Sequence, residues 1–244
     1  MVERSRVQDL AAAVKRRLAS IDPDAVAKSL MSGIDTATNA RWEAAVVRAA
    51  ALPGDIRPEK IRALSASFAR ELGTVGAAAG MAAATPLVGT GATLMAATVE
   101  LSWFTARAGD LILTIAALHG RPAPTVDERK AWVLAVLIFG STARQGLTGV
   151  VNALGAGLSE VSPNKLSLVT LRAANNAMSR LVVRRYGTRR GVIALGTAMP
   201  LGIGAVIGAG ANVVAIRKLA AQADSFFSRL PYSSIETTAT DVGP

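Results

Sequence analysis

Residues 73–99 read GTVGAAAGMAAATPLVGTGATLMAATV, a stretch without a single charged side chain. Such a stretch exceeds the roughly 20 apolar residues that cross a hydrocarbon core. Alanine and glycine insert only weakly into membranes, however, and Pro86 near the middle suits a bend better than a straight span. The segment therefore predicts two apolar helical arms joined at a proline-containing break.

A second segment of the same kind occupies residues 191–216, GVIALGTAMPLGIGAVIGAGANVVAI. Aligning Pro86 with Pro200 without gaps also places Asp110 on Asp224, which indicates one hairpin-like unit used twice. We expect these two aspartates to tie the repeats together. Small residues let helix backbones approach closely. The residues expected to pack the hairpins are Gly76, Gly80, Pro86, Pro200, Gly204 and Gly208.

The composition indicates an all-α fold and argues against most catalytic and metal sites. Hydrophobic residues form 51% of the chain and aromatic residues only 4%, a balance typical of close-packed helices. Cysteine is absent and His119 is the only histidine, so thiolate sites, histidine-rich metal sites and Ser-His-Asp triads are disfavoured. We expect no enzyme activity, cofactor or metal. The tryptophans are either interfacial anchors or core residues: Trp42, Trp103 and Trp132.

The predicted architecture is a single compact bundle of about eight to ten helices, built around the two related hairpins. Residues 1–57 are expected to form N-terminal amphipathic helices, residues 58–230 the main helical domain and residues 231–244 a disordered tail. Thr125 and Glu128 have the spacing of a capping box, which predicts that one helix begins there and runs through Leu147.

The positive charge is concentrated around the second apolar segment. The chain carries a net charge of +10, and residues 161–223 hold nine basic residues and no acidic one. A basic helix is predicted over Pro163–Tyr186, with one polar stripe and an opposite face of Leu168, Leu171, Met178, Leu181 and Val182. Polybasic clusters beside apolar segments are attracted to anionic lipids. The residues expected to bind lipid headgroups or other anions are Arg180, Arg184, Arg185, Arg189, Arg190, Arg217 and Lys218.

Nucleic acid is the competing partner for this basic block. Nucleic-acid-binding surfaces usually combine positive charge with aromatic residues or a recognisable reading element. The block contains only one aromatic residue, Tyr186. We therefore favour a membrane surface and expect no nucleic acid.

Three polar residues lie within or beside apolar stretches: Glu100, Asn152 and Asn212. They either line a polar pocket or make structural pairs and hydrogen bonds between helices. His119 precedes Gly120 directly, which predicts a helix C-terminus where the histidine meets the last carbonyl groups and the helix dipole.

The order of these features resembles the EcsC family of bacterial proteins over roughly residues 60–230. The resemblance is carried by Gly80 through Leu118 with Pro86 and Glu100-Leu101, by His119-Gly120, by Asp127-Glu128-Arg129, and by Met199-Pro200-Leu201-Gly202 with Gly204, Gly208 and Asn212. The family more often has Asp at the position of Glu100 and Tyr at that of His119. The resemblance implies a membrane-associated or transport-linked accessory protein and supplies no active site, since the family takes its name from a protein encoded beside an ABC transporter.

Two functions of different classes follow from the sequence. The first is a non-enzymatic accessory protein on the cytoplasmic side of the plasma membrane, with its apolar hairpins in the membrane and its basic helix on anionic headgroups. The charged N-terminus, which is unlike a secretory signal, favours this location. The alternative is a soluble lipid-binding or adaptor module that serves an ABC-type transporter or a secretion process. An enzyme using Glu100 is the weakest reading, because no nucleophile, metal or phosphate motif accompanies it. The oligomeric state stays open.

Overall fold

The fold is all-α, as predicted, in the part of the chain that the structure covers. The computed structural model describes residues 23–83, 90–121, 124–155, 167–186 and 208–230, with backbone alone for Pro23, residues 72–83, residues 90–100, Arg185, Tyr186 and residues 208–213. Over these ranges the regular structure is helical throughout and contains no strand. The predicted tail, residues 231–244, lies outside the described residues.

The helices are numbered here in chain order. They are α1 (Pro23–Ala40), α2 (Trp42–Ala51), α3 (Arg57–Ala83), α4 (Thr90–Leu118), α5 (Val126–Phe139), α6 (Ala143–Ala153), α7 (Leu168–Tyr186) and α8 (Gly208–Ser228). A single 3₁₀ turn, Gly140–Thr142, joins α5 to α6.

The capping box at the start of α5 is confirmed. The backbone N–H of Glu128 donates to Thr125 Oγ1 at 3.2 Å, and the backbone N–H of Thr125 donates to Glu128 Oε2 at 2.7 Å. The prediction of one helix through Leu147 is wrong. Gly140 has φ +57°, a conformation that favours glycine, and the chain turns there before α6 begins.

Helix α4 forms the centre of the core and packs against α1, α2, α3, α5 and α8. Leu111, Ile112 and Ile115 are fully buried on it. Two glycines permit a close approach between α1 and α4. A Cβ on Gly109 would lie 2.4 Å from the Cβ of Ala37, and a Cβ on Gly33 would come equally close to the carbonyl oxygen of Ser102 on α4. Helix α1 contributes to the same hydrophobic core as the helices of residues 58–230.

The charged contacts fix the directions of α3, α4 and α8. Asp224 near the end of α8 contacts both Arg57 at the start of α3 and His119 just after α4. Glu71 of α3 also pairs with Arg107 of α4. Helices α3 and α4 therefore lie antiparallel, and α8 runs in the same direction as α4. Since α8 rises about 24 Å before it reaches Asp224, its start lies towards the end of the bundle where α3 ends and α4 begins.

The pairing of two proline-broken hairpins stays a prediction. Pro86, Pro200 and Gly204 lie outside the described residues, whereas Gly76 and Gly80 lie within α3 and Gly208 begins α8. Two of the three tryptophans are core residues: Trp42 and Trp132 are buried. Trp103 is partly buried. The ring centroids of Trp42 and Trp132 lie 6.4 Å apart, and Trp132 in turn packs edge-on against Phe227.

Candidate functional site

One end of the bundle is built from uncharged helix. The apolar end, as we call it, consists of residues 73–83 of α3, residues 90–99 of α4 and residues 208–213 of α8, none of which is charged. The α3 and α4 portions each rise about 15 Å at 1.5 Å per residue. A bilayer hydrocarbon core is about 30 Å thick. The apolar end is therefore long enough to enter one leaflet.

Two helical stretches within the described residues are long and apolar enough to cross a membrane: Leu101–Leu118 and Val126–Ala153. Length and composition are weak indicators, because core helices of soluble proteins have the same properties. In the first stretch 72% of the residues are buried inside the protein. The second is interrupted by the 3₁₀ turn Gly140–Thr142.

A cluster of ionised side chains lies next to the apolar end. The arginine cluster, as we call it, consists of Arg41, Arg48, Glu71, Arg107 and Asp110. Asp110 Oδ2 accepts from Arg107 Nη1 at 2.5 Å and from Arg41 Nη1 at 2.8 Å, and Arg48 Nη1 lies 4.0 Å away. The second terminal nitrogen of Arg107 donates to Glu71 Oε2. Among the described side chains, three guanidinium groups thus meet two carboxylates, which leaves one positive charge in excess.

Burial makes this charge balance matter for folding. The side chain of Asp110 is 4% exposed and that of Arg107 is 11% exposed. Within the described part of the chain, Asp110 Oδ1 and Arg107 Nε are buried without a hydrogen-bond partner. Phe68 lies beneath the arginines, with its ring centroid 4.7 Å from the guanidinium carbon of Arg107 and 5.3 Å from that of Arg48. These contacts hold the two guanidinium planes over an apolar surface.

Arg48 is the least satisfied member of the arginine cluster. Its side chain is 32% exposed, whereas Arg107 is nearly buried. Burial, followed by the neighbouring charge of Arg107, lowers the pKa of Arg48 below its usual range. An anion near Arg48 would offset the second of these causes, the repulsion between the guanidinium groups of Arg48 and Arg107.

The opposite end of the bundle contains a second polar cluster. His119 Nε2 and Asp224 Oδ1 are 2.8 Å apart, and Arg57 Nε lies 3.7 Å from the same oxygen. Arg121 Nη2 donates at 2.6 Å to the carbonyl oxygens of Phe227 and, at the same distance, of Leu230. Burial lowers the pKa of His119 below 6.5, and the hydrogen bond to Asp224 opposes that shift. The cluster ties the end of α8 to the chain that follows α4.

The two equivalent aspartates have different roles. Asp224 of α8 contacts His119, which follows α4. The repeat itself, and a tie between its two copies, stay predictions. Asp110 instead binds Arg41 from the α1–α2 junction and Arg107 of its own helix. His119 directly follows the end of α4, as predicted, but the bond from its ring to Asp224 was not anticipated.

The predicted basic residues divide between two helices. Arg180 and Arg184 are exposed on α7, and Arg217 and Lys218 are exposed on α8. Arg185 belongs to α7, and Arg189 and Arg190 lie outside the described residues. The main packing partners of α7 are α5, α1 and α6, whereas α8 packs mainly on α3 and α4. The structure therefore places the described basic residues on two surfaces.

The basic stripe of α7 is exposed, and its opposite face is mostly buried. Leu171, Met178 and Val182 are buried as expected, whereas Leu181 is 37% exposed, so its predicted place on the buried face is wrong. At the start of the stripe Arg172 Nε donates to Asp127 Oδ2 at 3.0 Å, which ties α7 to the first turn of α5. Arg180 and Arg184, further along α7, are exposed to solvent.

A pocket formed by the three polar candidates stays a prediction, because the structure describes the side chain of only one of them. Asn152 is exposed near the end of α6. Glu100 lies in α4 and Asn212 in α8, and their side chains are outside the described set. A shallow, open depression runs along α1 between Lys28 and Ala40. In the part of the chain that the structure describes, no group of three or more His, Asp or Glu side chains is placed to hold a metal ion.

Comparisons with known proteins do not identify a relative: no protein-family model, curated protein or solved structure matches this chain. The EcsC resemblance therefore stays a prediction that rests on the residues quoted above. Function has to be argued from the apolar end, the arginine cluster and the exposed basic residues.

Proposed function

We propose that this chain is a non-enzymatic, membrane-associated accessory protein on the cytoplasmic face of the plasma membrane. Its apolar end enters the hydrocarbon of the facing leaflet. Its exposed basic residues hold anionic lipid headgroups, and the remainder of the helical body stays in water. A membrane transporter or another membrane protein is the partner that such an accessory protein would serve.

The observation that carries this proposal is the common position of the uncharged helix portions. Residues 73–83, residues 90–99 and the start of α8 belong to the same end of the bundle, because Arg57 and His119 hold Asp224 at the other. Every charged side chain with a described ion pair lies outside the apolar end. An uncharged end of about 15 Å matches the hydrocarbon depth of one leaflet.

Partial insertion accounts for the burial of α4 better than a full span does. Leu101–Leu118 is largely covered by neighbouring helices, and it contains Arg107 and Asp110, which are paired within the protein. Ionised groups at membrane depth are costly unless they are paired or in water. We therefore assign this stretch to the core and only the apolar end to the membrane.

The same burial supports the alternative function, a soluble lipid-binding or adaptor module. In that case the apolar end is covered by its own helices, and an apolar ligand or a partner protein is held there without insertion into a bilayer. A lipid that copurifies with a detergent-free protein would favour this alternative. Stable binding to protein-free vesicles favours the first proposal.

Vesicle flotation with paired variants tests the proposal. Leu87 and Val88 lie between α3 and α4 in the sequence, and we replace both with glutamate. Because charged residues insert at a cost of about 2.5–3.5 kcal/mol at the membrane centre, binding to vesicles of phosphatidylcholine and phosphatidylglycerol should weaken at least about tenfold. Ile56→Glu is the matched control, since Ile56 is 55% exposed at the opposite end of the bundle.

Equal binding by the two glutamate variants would contradict insertion of the apolar end. A second pair of variants tests the basic residues. Reversal of Arg184, Arg185, Arg189 and Arg190 to glutamate should release the protein from anionic vesicles, whereas reversal of the exposed Arg62 on α3 should not. Unchanged binding after the fourfold reversal would remove the headgroup assignment.

A further inference from the structure

The arginine cluster combines an excess charge with a half-exposed guanidinium group. Arg107 is bound on both sides, by Asp110 and by Glu71, and is nearly buried. Arg41 donates to Asp110 but keeps 34% of its side chain exposed. Among the described residues, Arg48 reaches only Asp110 at 4.0 Å and the face of Phe68. The excess positive charge is therefore presented at Arg41 and Arg48.

The cluster lies at a defined depth relative to the apolar end. Glu71 precedes residue 73 by two positions, whereas Arg107 and Asp110 follow residue 99 by eight and eleven. These offsets place the backbone of the cluster about 3–17 Å below the apolar end along the helix axes. The headgroup layer on each side of a bilayer is about 5–8 Å thick. With the apolar end in hydrocarbon, the cluster therefore extends from the level of the lipid phosphates into the water beyond, and the long side chains of Arg41 and Arg48 lie within reach of the headgroups.

Guanidinium groups are suited to phosphate because their planar N–H donors pair with two oxygens at once. Asp110 and Glu71 neutralise two of the three arginines of the cluster. The single positive charge that remains matches an anion with one negative charge. Phe68 supports Arg48 from below and leaves the edge of the guanidinium group for a ligand.

We propose that Arg41 and Arg48 form a binding site for one phosphate oxyanion, with the phosphodiester of an anionic lipid as its source. Arg107 is the positioning residue of this site, because it orients Asp110 and Glu71 and does not itself face the ligand. The lipid source rests on the proposed function. Free phosphate has the same oxyanion chemistry, and the experiment separates the two.

The experiment compares the wild-type chain with Arg48→Gln, Arg48→Lys and Arg62→Gln. Arg62 is an exposed arginine of α3 towards the opposite end, so its replacement changes the net charge equally. Binding is measured to vesicles of phosphatidylcholine with phosphatidylglycerol, and separately to inorganic phosphate by calorimetry. Arg48→Gln should weaken vesicle binding about fivefold, as expected for one cation near the surface, while Arg62→Gln changes it less than about twofold. Arg48→Lys should be intermediate, because lysine retains the charge without the planar donors.

The outcomes distinguish the inference from the proposed function. If Arg48→Gln and Arg62→Gln weaken vesicle binding equally, the site is wrong while membrane binding stands. If the wild-type chain does not bind vesicles, the proposed function fails. The calorimetric titration with phosphate then decides whether Arg41 and Arg48 form an anion site at all. Phosphate binding that is lost in Arg48→Gln supports a site for the free anion, and no phosphate binding to the wild-type chain overturns the inference. Thermal unfolding by circular dichroism checks that each variant is folded.

Discussion

Asp110 is the residue on which the charge balance of the arginine cluster depends, and Asp110→Asn should be strongly destabilising. Its carboxylate is 4% exposed and directly accepts from Arg41 and Arg107. Removing one partner of a buried ion pair costs about 3–5 kcal/mol, because the other charge is left uncompensated. Arg107 retains Glu71, and asparagine retains an acceptor, so we expect about 3 kcal/mol, the lower value.

The assay is unfolding followed by circular dichroism, in urea and on heating. For a chain of this size a loss of about 3 kcal/mol lowers the melting temperature by about 6–12 °C. Asp55→Asn is the control: Asp55 is exposed, and its replacement should change the free energy of unfolding by less than about 0.5 kcal/mol. Arg41→Gln combined with Asp110→Asn should cost less than the sum of the single changes, by about 0.5–3 kcal/mol. A loss in Asp110→Asn no larger than that in Asp55→Asn would refute the role of Asp110 as a buried counter-charge.

Three further predictions concern packing, capping and pH. Gly109→Ala should destabilise the protein by about 1–3 kcal/mol, because the new methyl group meets α1. Gly149→Ala, in open space on α6, should instead stabilise it by about 0.5–1 kcal/mol. Urea unfolding measures both free energies, and equal effects of the two variants would contradict the close approach of α1 and α4. Thr125→Ala should cost about 1 kcal/mol and Thr125→Ser only a few tenths, because serine retains the capping oxygen; a full loss in the serine variant would count against the cap. Burial keeps the pKa of His119 below its unfolded value of 6.5. The free energy of unfolding should therefore be constant above that pH and fall as the pH drops below it, because the unfolded chain takes up a proton first. His119→Gln should flatten this fall, and an unchanged pH profile in that variant would contradict the role of His119.

Local features of the fold could be predicted from the sequence because they depend on near neighbours. The capping box needs only Thr125 and Glu128 at the correct spacing, and the structure contains it. The buried face of α7 also follows from helical periodicity, except that Leu181 lies at its edge and is partly exposed. Periodicity reports which face is apolar and cannot report how far the neighbouring helices extend over it.

The break after α5 was not predicted because it depends on a contact with a distant part of the chain. Gly140 interrupts an otherwise continuous apolar pattern, and a glycine within such a pattern is compatible with a continuing helix or with a turn. The choice depends on tertiary packing: the amide of Gln222 on α8 lies against Gly140, where a Cβ would come within 2.9 Å of it. No residue near Gly140 in the sequence carries that information.

The candidate sites were only partly predictable, because they join residues far apart in the chain. Arg107 and Asp110 are three positions apart on one helix, so their pairing was accessible from spacing. Arg41 reaches Asp110 across 69 positions and His119 reaches Asp224 across 105, and nothing in the local sequence selects those partners. The gapless alignment of Asp110 with Asp224 was the signal that marked both positions, although it did not name their partners.

Insertion of the apolar end is the central claim, and a depth measurement tests it most directly. The chain contains no cysteine, so a single introduced cysteine can carry an environment-sensitive fluorophore without competing labels. We would label Val88→Cys, between α3 and α4, and Ile56→Cys, at the opposite end, and add vesicles containing lipid-borne quenchers. The account predicts a blue shift and strong quenching for the label at position 88 and no change for the label at position 56. Equal, water-like emission at both positions in vesicle-bound protein would contradict it.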